Sequence, residues 1–205
     1  MSEPVVVQLF TDYACPWCYL GRARLKQVGA EQPITIKTVH YQLSADTPAE
    51  GRELGPYLKS RGYDVREATA RLAALMDREG LEWNTASDRM AYNTQRAQQL
   101  AVWAESQGAG ESIHDALFHA YQVDGRNIHD LDVLSEIAAS VGLDPVAARA
   151  AIVEGKAAEA VARDQATSRQ IGISSVPTYV AGGKGVVGAQ SVDVLKQLVR
   201  AAASA

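Results

Sequence analysis

Residues 5–21 read VVVQLFTDYACPWCYLG, an apolar run followed at once by a polar turn and two cysteines. The run from Val5 to Phe10 is rich in β-branched residues, which is typical of a buried strand. Pro16 suits the first turn of a helix, and the apolar residues after it recur every three or four positions. The stretch therefore predicts a strand that leads directly into a helix, with Cys15 at the helix N-terminus.

A second strand is expected after this helix. Pro33 interrupts the helical pattern, and residues 34–39 then alternate apolar with polar side chains, which is the period of a strand. Strand, helix and strand in this order predict a βαβ unit.

The middle of the chain has a different pattern. Residues 48–155 form alanine-rich segments of helical periodicity separated by glycines, which predicts four to six packed helices. Asp64, Asp130 and Asp144 stand where they can cap three of them, and a further helix is expected over residues 156–171. Strand signals return at residues 178–187, with a Gly-Gly turn that predicts a hairpin, and Ser191 caps a final helix.

Composition narrows the class of protein. The 205 residues are 47% hydrophobic and 21% charged, as in an ordinary globular protein, and the formal net charge is −4. A nucleic-acid partner is not expected, because binding a phosphate backbone needs concentrated Lys and Arg. Apolar runs are far shorter than the roughly 20 residues of a membrane helix, and no export signal is visible. We therefore expect a cytoplasmic protein without a membrane partner, in a compartment that keeps thiols reduced.

The two cysteines, Cys15 and Cys18, are the only ones in the chain and are separated by two residues. A helix N-terminus stabilises the Cys15 thiolate, and Cys18, one turn later, is placed to attack a mixed disulfide formed at Cys15. Cys15 is expected to be exposed and Cys18 more buried. Three alternatives are a structural cysteine pair, an inert disulfide and a zinc site. Zinc would need two more ligands, which the four histidines do not offer in a paired spacing, so no metal and no cofactor are predicted.

A second segment, Ser174-Ser175-Val176-Pro177-Thr178, places a proline just before a strand. Such a proline is ordinarily a turn or edge residue. Beside a dithiol, a cis Val176–Pro177 bond would instead leave the Val176 backbone free to pair with an extended substrate. Trp17, between the cysteines, is expected to face outward near the substrate. The predicted substrate-binding residues are Pro16, Trp17, Val176 and Pro177.

With these residues the chain resembles the DsbA-like thioredoxin family, specifically its FrnE-type cytoplasmic oxidoreductases, over nearly its full length. The matching segments are residues 12–21, 80–84, 93–94, 116–121, 172–178 and 188–190. The resemblance implies an α/β thioredoxin fold with a large all-helical insertion, a redox dithiol, and a cis-proline at Pro177. We expect residues 1–47 and 156–205 to form the thioredoxin-like domain and residues 48–155 the helical insertion domain. Many relatives have a histidine shortly after the Asn-Thr pair, where this chain has Gln98.

The predicted function is thiol–disulfide oxidoreductase, with protein or small-molecule disulfides and dithiols as partners and glutathione as a further candidate. One alternative on the same fold is a glutathione-dependent isomerase or kappa-class-like transferase. Another is a peptide-binding, chaperone-like module, whose binding would survive loss of both thiols. The alanine-rich helical block also offers a surface for a homodimer.

Overall fold

The computed structural model describes residues 3–204, which form two units. One unit contains the described residues up to Leu43 and from Ala162 onward, and the other contains Ser44–Val161. In chain order the elements are β1 (Val5–Thr11), α1 (Pro16–Glu31), β2 (Ile34–His40), β3 (Arg52–Glu53), α2 (Leu54–Ser60), α3 (Val65–Arg78), β4 (Met90–Ala91), α4 (Gln95–Ser106), α5 (Gly110–Gln122), α6 (Leu131–Ser140), α7 (Pro145–Val153), α8 (Ala158–Gln170), β5 (Thr178–Ala181), β6 (Lys184–Val187) and α9 (Val192–Ala203).

The first unit contains a four-stranded mixed sheet in the order β2-β1-β5-β6. Strands β1 and β2 are parallel and in register from Val5↔Ile34 to Thr11↔His40, which confirms the predicted βαβ unit. Strand β5 runs antiparallel to β1, with Leu9 opposite Tyr179, and the predicted hairpin to β6 is present. Each of the first two strands ends one residue later than predicted. The polar side chains of Thr11 and His40 indicated a strand end, although the backbone pairing includes both residues.

The core of this unit lies where α1 and α9 pack against the sheet. Alternate side chains of β1 point to the same face, so Val7 and Leu9 are both fully buried. The remaining buried members of the cluster are Leu25, Val28, Tyr179, Ala181, Leu195, Leu198 and Val199. Sheet, helix α1 and the C-terminal helix α9 thus share one apolar core, which holds the C-terminal end of β1 and the start of α1 in place.

The second unit is mainly helical, as predicted, and contains α2–α7 within residues 44–161. The three predicted aspartate caps are confirmed: Asp64, Asp130 and Asp144 each accept hydrogen bonds from backbone N–H groups of the first turn that follows. The expectation of an all-helical block missed a short antiparallel pair between β3 and β4. Strands of two residues are too short to show a period in sequence, and only the fold brings them together.

Within residues 3–204, no helix combines the length and the apolar character that crossing a lipid bilayer requires.

A close approach between α1 and β5 occurs at Gly21. A Cβ atom on Gly21 would lie 2.1 Å from the Tyr179 hydroxyl and 3.1 Å from Pro177 Cγ. We predict that Gly21→Ala lowers the free energy of unfolding, because overpacking costs about 1–3 kcal/mol, against about 1 kcal/mol that alanine contributes as a helix former. Urea unfolding followed by circular dichroism measures the change.

The matched control is Gly29→Ala in the same helix, where the added Cβ would make an ordinary contact of 3.4 Å with Ile34. This variant should be as stable as the parent or more stable by up to about 1 kcal/mol. Adding Tyr179→Phe to Gly21→Ala should recover part of the lost stability, since it removes the nearest atom. Equal stability of the two single variants would contradict the close approach.

Candidate active site

Helix α1 begins directly after Cys15, as the sequence predicts. Cys15 is the N-cap residue with φ −89° and ψ 112°, and Pro16 occupies the first helical turn. The Cys15 carbonyl already accepts hydrogen bonds from Cys18 N at 3.0 Å and from Tyr19 N at 3.3 Å. Because the Cys15 side chain makes no capping hydrogen bond, its sulfur is left for other contacts at the positive end of the helix dipole.

Asp12 fixes the turn that precedes Cys15. It is 1% exposed, Oδ1 accepts from Ala14 N at 3.2 Å, and Oδ2 accepts from Leu43 N at 2.7 Å. In addition, Cys15 N donates to Asp12 O at 3.0 Å. The carboxylate therefore joins the segment before α1 to the segment after β2. The sequence pattern assigned Asp12 no role, although an aspartate two residues before a backbone donor is typical of an Asx turn.

Cys15 is less accessible than predicted. Its residue exposure is 6%, so the expectation of an exposed thiol is wrong. The physical reason is the segment before β5: Cys15 Sγ lies 3.7 Å from Val176 O, to which it donates. The segment that was expected to bind substrate thus covers the Cys15 sulfur.

Cys18 is fully buried, so the predicted order of burial of the two cysteines is confirmed. Burial is the main cause that raises the pKa of the Cys18 thiol, and the hydrogen bond and charge of Cys15 raise it further. The Thr11 side chain and the Asp12 backbone act in the opposite direction, because they stabilise the thiolate. The balance keeps Cys18 a thiol at neutral pH, while Cys15 caps the helix.

The Val176–Pro177 peptide bond is cis, as the resemblance implies. Pro177 O accepts from Gly188 N at 2.7 Å, which ties the segment to the end of β6. Thr178 Oγ1 donates to Ser175 O at 2.8 Å, which closes the turn before β5. In the described part of the chain, Val176 takes part in no backbone hydrogen bond outside the strand pairings. The Val176 main chain is therefore held in place beside Cys15 by its neighbours.

The other two predicted substrate contacts lie in the first turn of α1. Trp17 is 37% exposed, which agrees with the expectation that it faces outward, and Pro16 is half-buried. Both cysteines carry free thiols. Within residues 3–204, no group of three or more His, Cys, Asp or Glu side chains is arranged to hold a metal ion. The site therefore contains two thiols, one on the N-cap residue of α1 and one fully buried a turn later.

Comparison with known proteins identifies the class to which this fold and this cysteine pair belong. Residues 6–200 match the DSBA-like thioredoxin domain family, so the chain is a member of that family. The predicted DsbA-like thioredoxin fold is confirmed, whereas the FrnE-type subgroup stays a prediction. An uncharacterized protein from Bacillus subtilis is 24% identical over 198 residues, which cover 95% of this chain and 96% of that protein.

Solved structures agree with this assignment. A probable DsbA oxidoreductase from Streptomyces coelicolor superposes with a TM-score of 0.89 at 28% identity, covering 97% of this chain and 89% of that one. A 2-hydroxychromene-2-carboxylate isomerase has a TM-score of 0.73 at 16% identity, covering 96% and 93% of the two chains. The cytosolic disulfide reductase DsbM from Pseudomonas aeruginosa, solved with GSH, has a TM-score of 0.67 at 17% identity, covering 96% of each chain. The last two show the shared fold alone.

The raised pKa of Cys18 predicts a pH dependence of stability in the reduced protein. The unfolded chain ionises Cys18 near pH 8.5, whereas the folded state keeps it protonated to higher pH. The contribution of the Cys18 thiol to the free energy of unfolding is therefore fully present below about pH 8.5. It is lost as pH rises above this value, by at most about 1.4 kcal/mol per pH unit. Urea unfolding between pH 7 and 10 with a non-thiol reductant should show a decline that is shallower in Cys18→Ala. Parallel pH profiles would contradict the buried, protonated thiol.

Proposed function

We propose that this protein is a thiol–disulfide oxidoreductase in which Cys15 attacks the substrate and Cys18 resolves the mixed disulfide. The observation that carries the proposal is the unequal placement of the two thiols. Cys15 stands at the start of α1 with its sulfur against the Val176 carbonyl, and Cys18 lies fully buried one turn later. Membership of the DsbA-like family supports the same chemistry.

The proposed exchange takes place in two steps. The Cys15 thiolate attacks one sulfur of a substrate disulfide, a bond forms between Cys15 and that sulfur, and the second substrate sulfur leaves as a thiolate that takes up a proton. The Cys18 thiol then loses its proton and attacks Cys15 Sγ, which releases the first substrate sulfur as a thiol. Two electrons pass from the protein dithiol to the substrate, and the reverse sequence oxidises a substrate dithiol.

The substrate contacts follow from the surroundings of Cys15. Val176 O accepts from the Cys15 sulfur at 3.7 Å, and within residues 3–204 the Val176 backbone makes no backbone–backbone hydrogen bond in a turn or loop. An extended substrate segment can therefore pair with this main chain while its disulfide reaches Cys15. Trp17, exposed between the cysteines, supplies an apolar contact on the helix side, with Pro16 next to it.

Protein and small-molecule disulfides both fit this arrangement, and glutathione is included because the DsbM structure was solved with GSH. A cytosolic location belongs to the same proposal, since DsbM is described as a cytosolic reductase. Two other functions are possible on the same fold, and the experiments below distinguish them from disulfide exchange. One is a glutathione-dependent isomerase or transferase, and the other is a peptide-binding module.

A trapping experiment tests the division of labour between the cysteines. We predict that Cys18→Ser accumulates a covalent complex with a disulfide substrate, because the chain has no other cysteine to attack Cys15. Cys15→Ser should accumulate none and should lose disulfide exchange, since its remaining thiol is fully buried. Each variant is incubated with oxidised glutathione or insulin and analysed by mass spectrometry and non-reducing gels. The two variants are matched controls, because each removes one sulfur and keeps the side-chain size.

Each result has a definite meaning for the mechanism. Trapping by Cys15→Ser instead would reverse the two roles, and trapping by neither would overturn the dithiol mechanism. Glutathione-dependent isomerase activity that persists in Cys18→Ser, with no exchange in the parent, would favour the isomerase. Peptide binding that is unchanged when both thiols are replaced, again with no exchange, would favour the binding module.

A further inference from the structure

Two buried hydroxyl groups in the first unit have no hydrogen-bond partner in the described part of the chain. They are Tyr179 Oη, on a fully buried residue of β5, and Thr11 Oγ1, on a residue of β1 that is 2% exposed. Leaving a buried hydroxyl unpaired is unfavourable, so its presence in a folded protein calls for a physical reason. Thr11 influences the ionisation of Cys18, and Cys18 influences that of Tyr179.

The position of Tyr179 Oη follows from helix α1. The hydroxyl lies 2.1 Å from the point where a Cβ atom on Gly21 would stand. Gly21 is three residues after Cys18, and residues at this spacing are neighbours on one helix face. Burial is the main cause that raises the pKa of Tyr179 far above its ordinary value, and a negative charge on Cys18 would raise it further, whereas Arg24 acts in the opposite direction. The hydroxyl therefore keeps its proton at neutral pH, so it can donate a hydrogen bond but cannot act as a base.

Thr11 belongs to a different element, since it is the last residue of β1. Its side chain lowers the pKa of Cys18, as does the backbone of Asp12, so both stabilise the thiolate form. In the thiol form, Thr11 Oγ1 makes no hydrogen bond of ordinary geometry. The hydroxyl thus has an attractive interaction with the Cys18 sulfur that a negative charge on the sulfur would strengthen.

We propose that Tyr179 and Thr11 are positioning residues for the resolving step, whose hydroxyls donate hydrogen bonds to the Cys18 sulfur as it becomes a thiolate. This inference rests on the proposed function. During resolution the Cys18 proton is lost to solvent, the Cys18–Cys15 bond forms, the bond from Cys15 to the substrate sulfur breaks, and the released thiolate takes up a proton. Both hydroxyls keep their own protons. They compensate for the burial that otherwise opposes ionisation of Cys18.

The test separates attack from resolution with 5,5′-dithiobis(2-nitrobenzoate). The first equivalent of thionitrobenzoate reports attack by Cys15, and the second reports resolution by Cys18. Tyr179→Phe and Thr11→Val should each slow the second phase by about tenfold, as expected for loss of a hydrogen bond to a charged atom, and leave the first unchanged. Thr11→Ser, which restores a hydroxyl, should return the second phase to the parent rate.

Two controls distinguish positioning from a general loss of structure. Thr38→Val removes the hydroxyl of a buried threonine in the neighbouring strand β2, opposite Leu9, and should alter neither phase. Tyr179→Phe should not lower the melting temperature, because the hydroxyl that it removes has no partner in the folded thiol state. An unchanged second phase in both variants, or equal slowing of the two phases, would overturn the proposal.

Titration of the Cys18 thiolate by ultraviolet absorbance in a Cys15→Ser background gives a second readout that needs no turnover. Tyr179→Phe and Thr11→Val should each raise the pKa of Cys18 further, and Thr11→Ser should not. If the parent releases no thionitrobenzoate, the oxidoreductase proposal fails, whereas the titration still decides whether the hydroxyls stabilise the thiolate. Titration curves that coincide with that of Cys15→Ser alone would overturn the donor role.

Discussion

The contact between helix α1 and strand β5 at Gly21 is the constraint on which the site depends. With no side chain on Gly21, the helix reaches the Tyr179 ring and the Pro177 ring directly. Tyr179 is in turn held in the sheet opposite Leu9, so the absence of a side chain on Gly21 allows α1 to approach the sheet closely at this point. The same contact places Cys18 in the interior and brings the Val176 carbonyl to Cys15, since Val176 and Pro177 immediately precede β5.

The two cysteines differ because one caps the helix and the other lies inside it. Cys15 precedes the first helical residue, where backbone N–H groups point outward and favour negative charge. Cys18 is surrounded by the core, which disfavours charge and raises its pKa. A dithiol needs this inequality, because the first thiol must react with an external disulfide and the second must remain protonated until the mixed disulfide has formed. In the proposed mechanism, burial of the Cys18 sulfur therefore has a role in addition to its effect on stability.

Asp12 shows how the fold supports the turn that precedes Cys15. Its carboxylate accepts backbone hydrogen bonds from Ala14 and Leu43, which belong to segments far apart in the sequence. A buried carboxylate is favourable only when its oxygens are paired, and these N–H donors meet that requirement. The turn that presents Cys15 is therefore tied to the C-terminal end of the parallel strand pair. Val176 covers Cys15, which is 6% exposed, so in the proposed function a substrate reaches the sulfur along this segment.

The sequence by itself determined the features that depend on neighbours in the chain. The apolar run of β1, the proline after Cys15 and the spacing of the cysteines are local signals, and so are the caps at Asp64, Asp130 and Asp144. Short-range patterns of this kind follow from backbone hydrogen bonding and periodicity alone.

Only the tertiary structure decided the features that join distant segments. These features are the contact of Val176 O with Cys15, the hydrogen bond from Leu43 to Asp12, the short β3–β4 pair, and the two unpaired hydroxyls of Thr11 and Tyr179. No local pattern encodes such a contact, since its geometry is set by how elements distant in the sequence pack together. A buried threonine and a buried tyrosine look like ordinary core residues in the sequence. Their relation to Cys18 exists only after β1, α1 and β5 have come together.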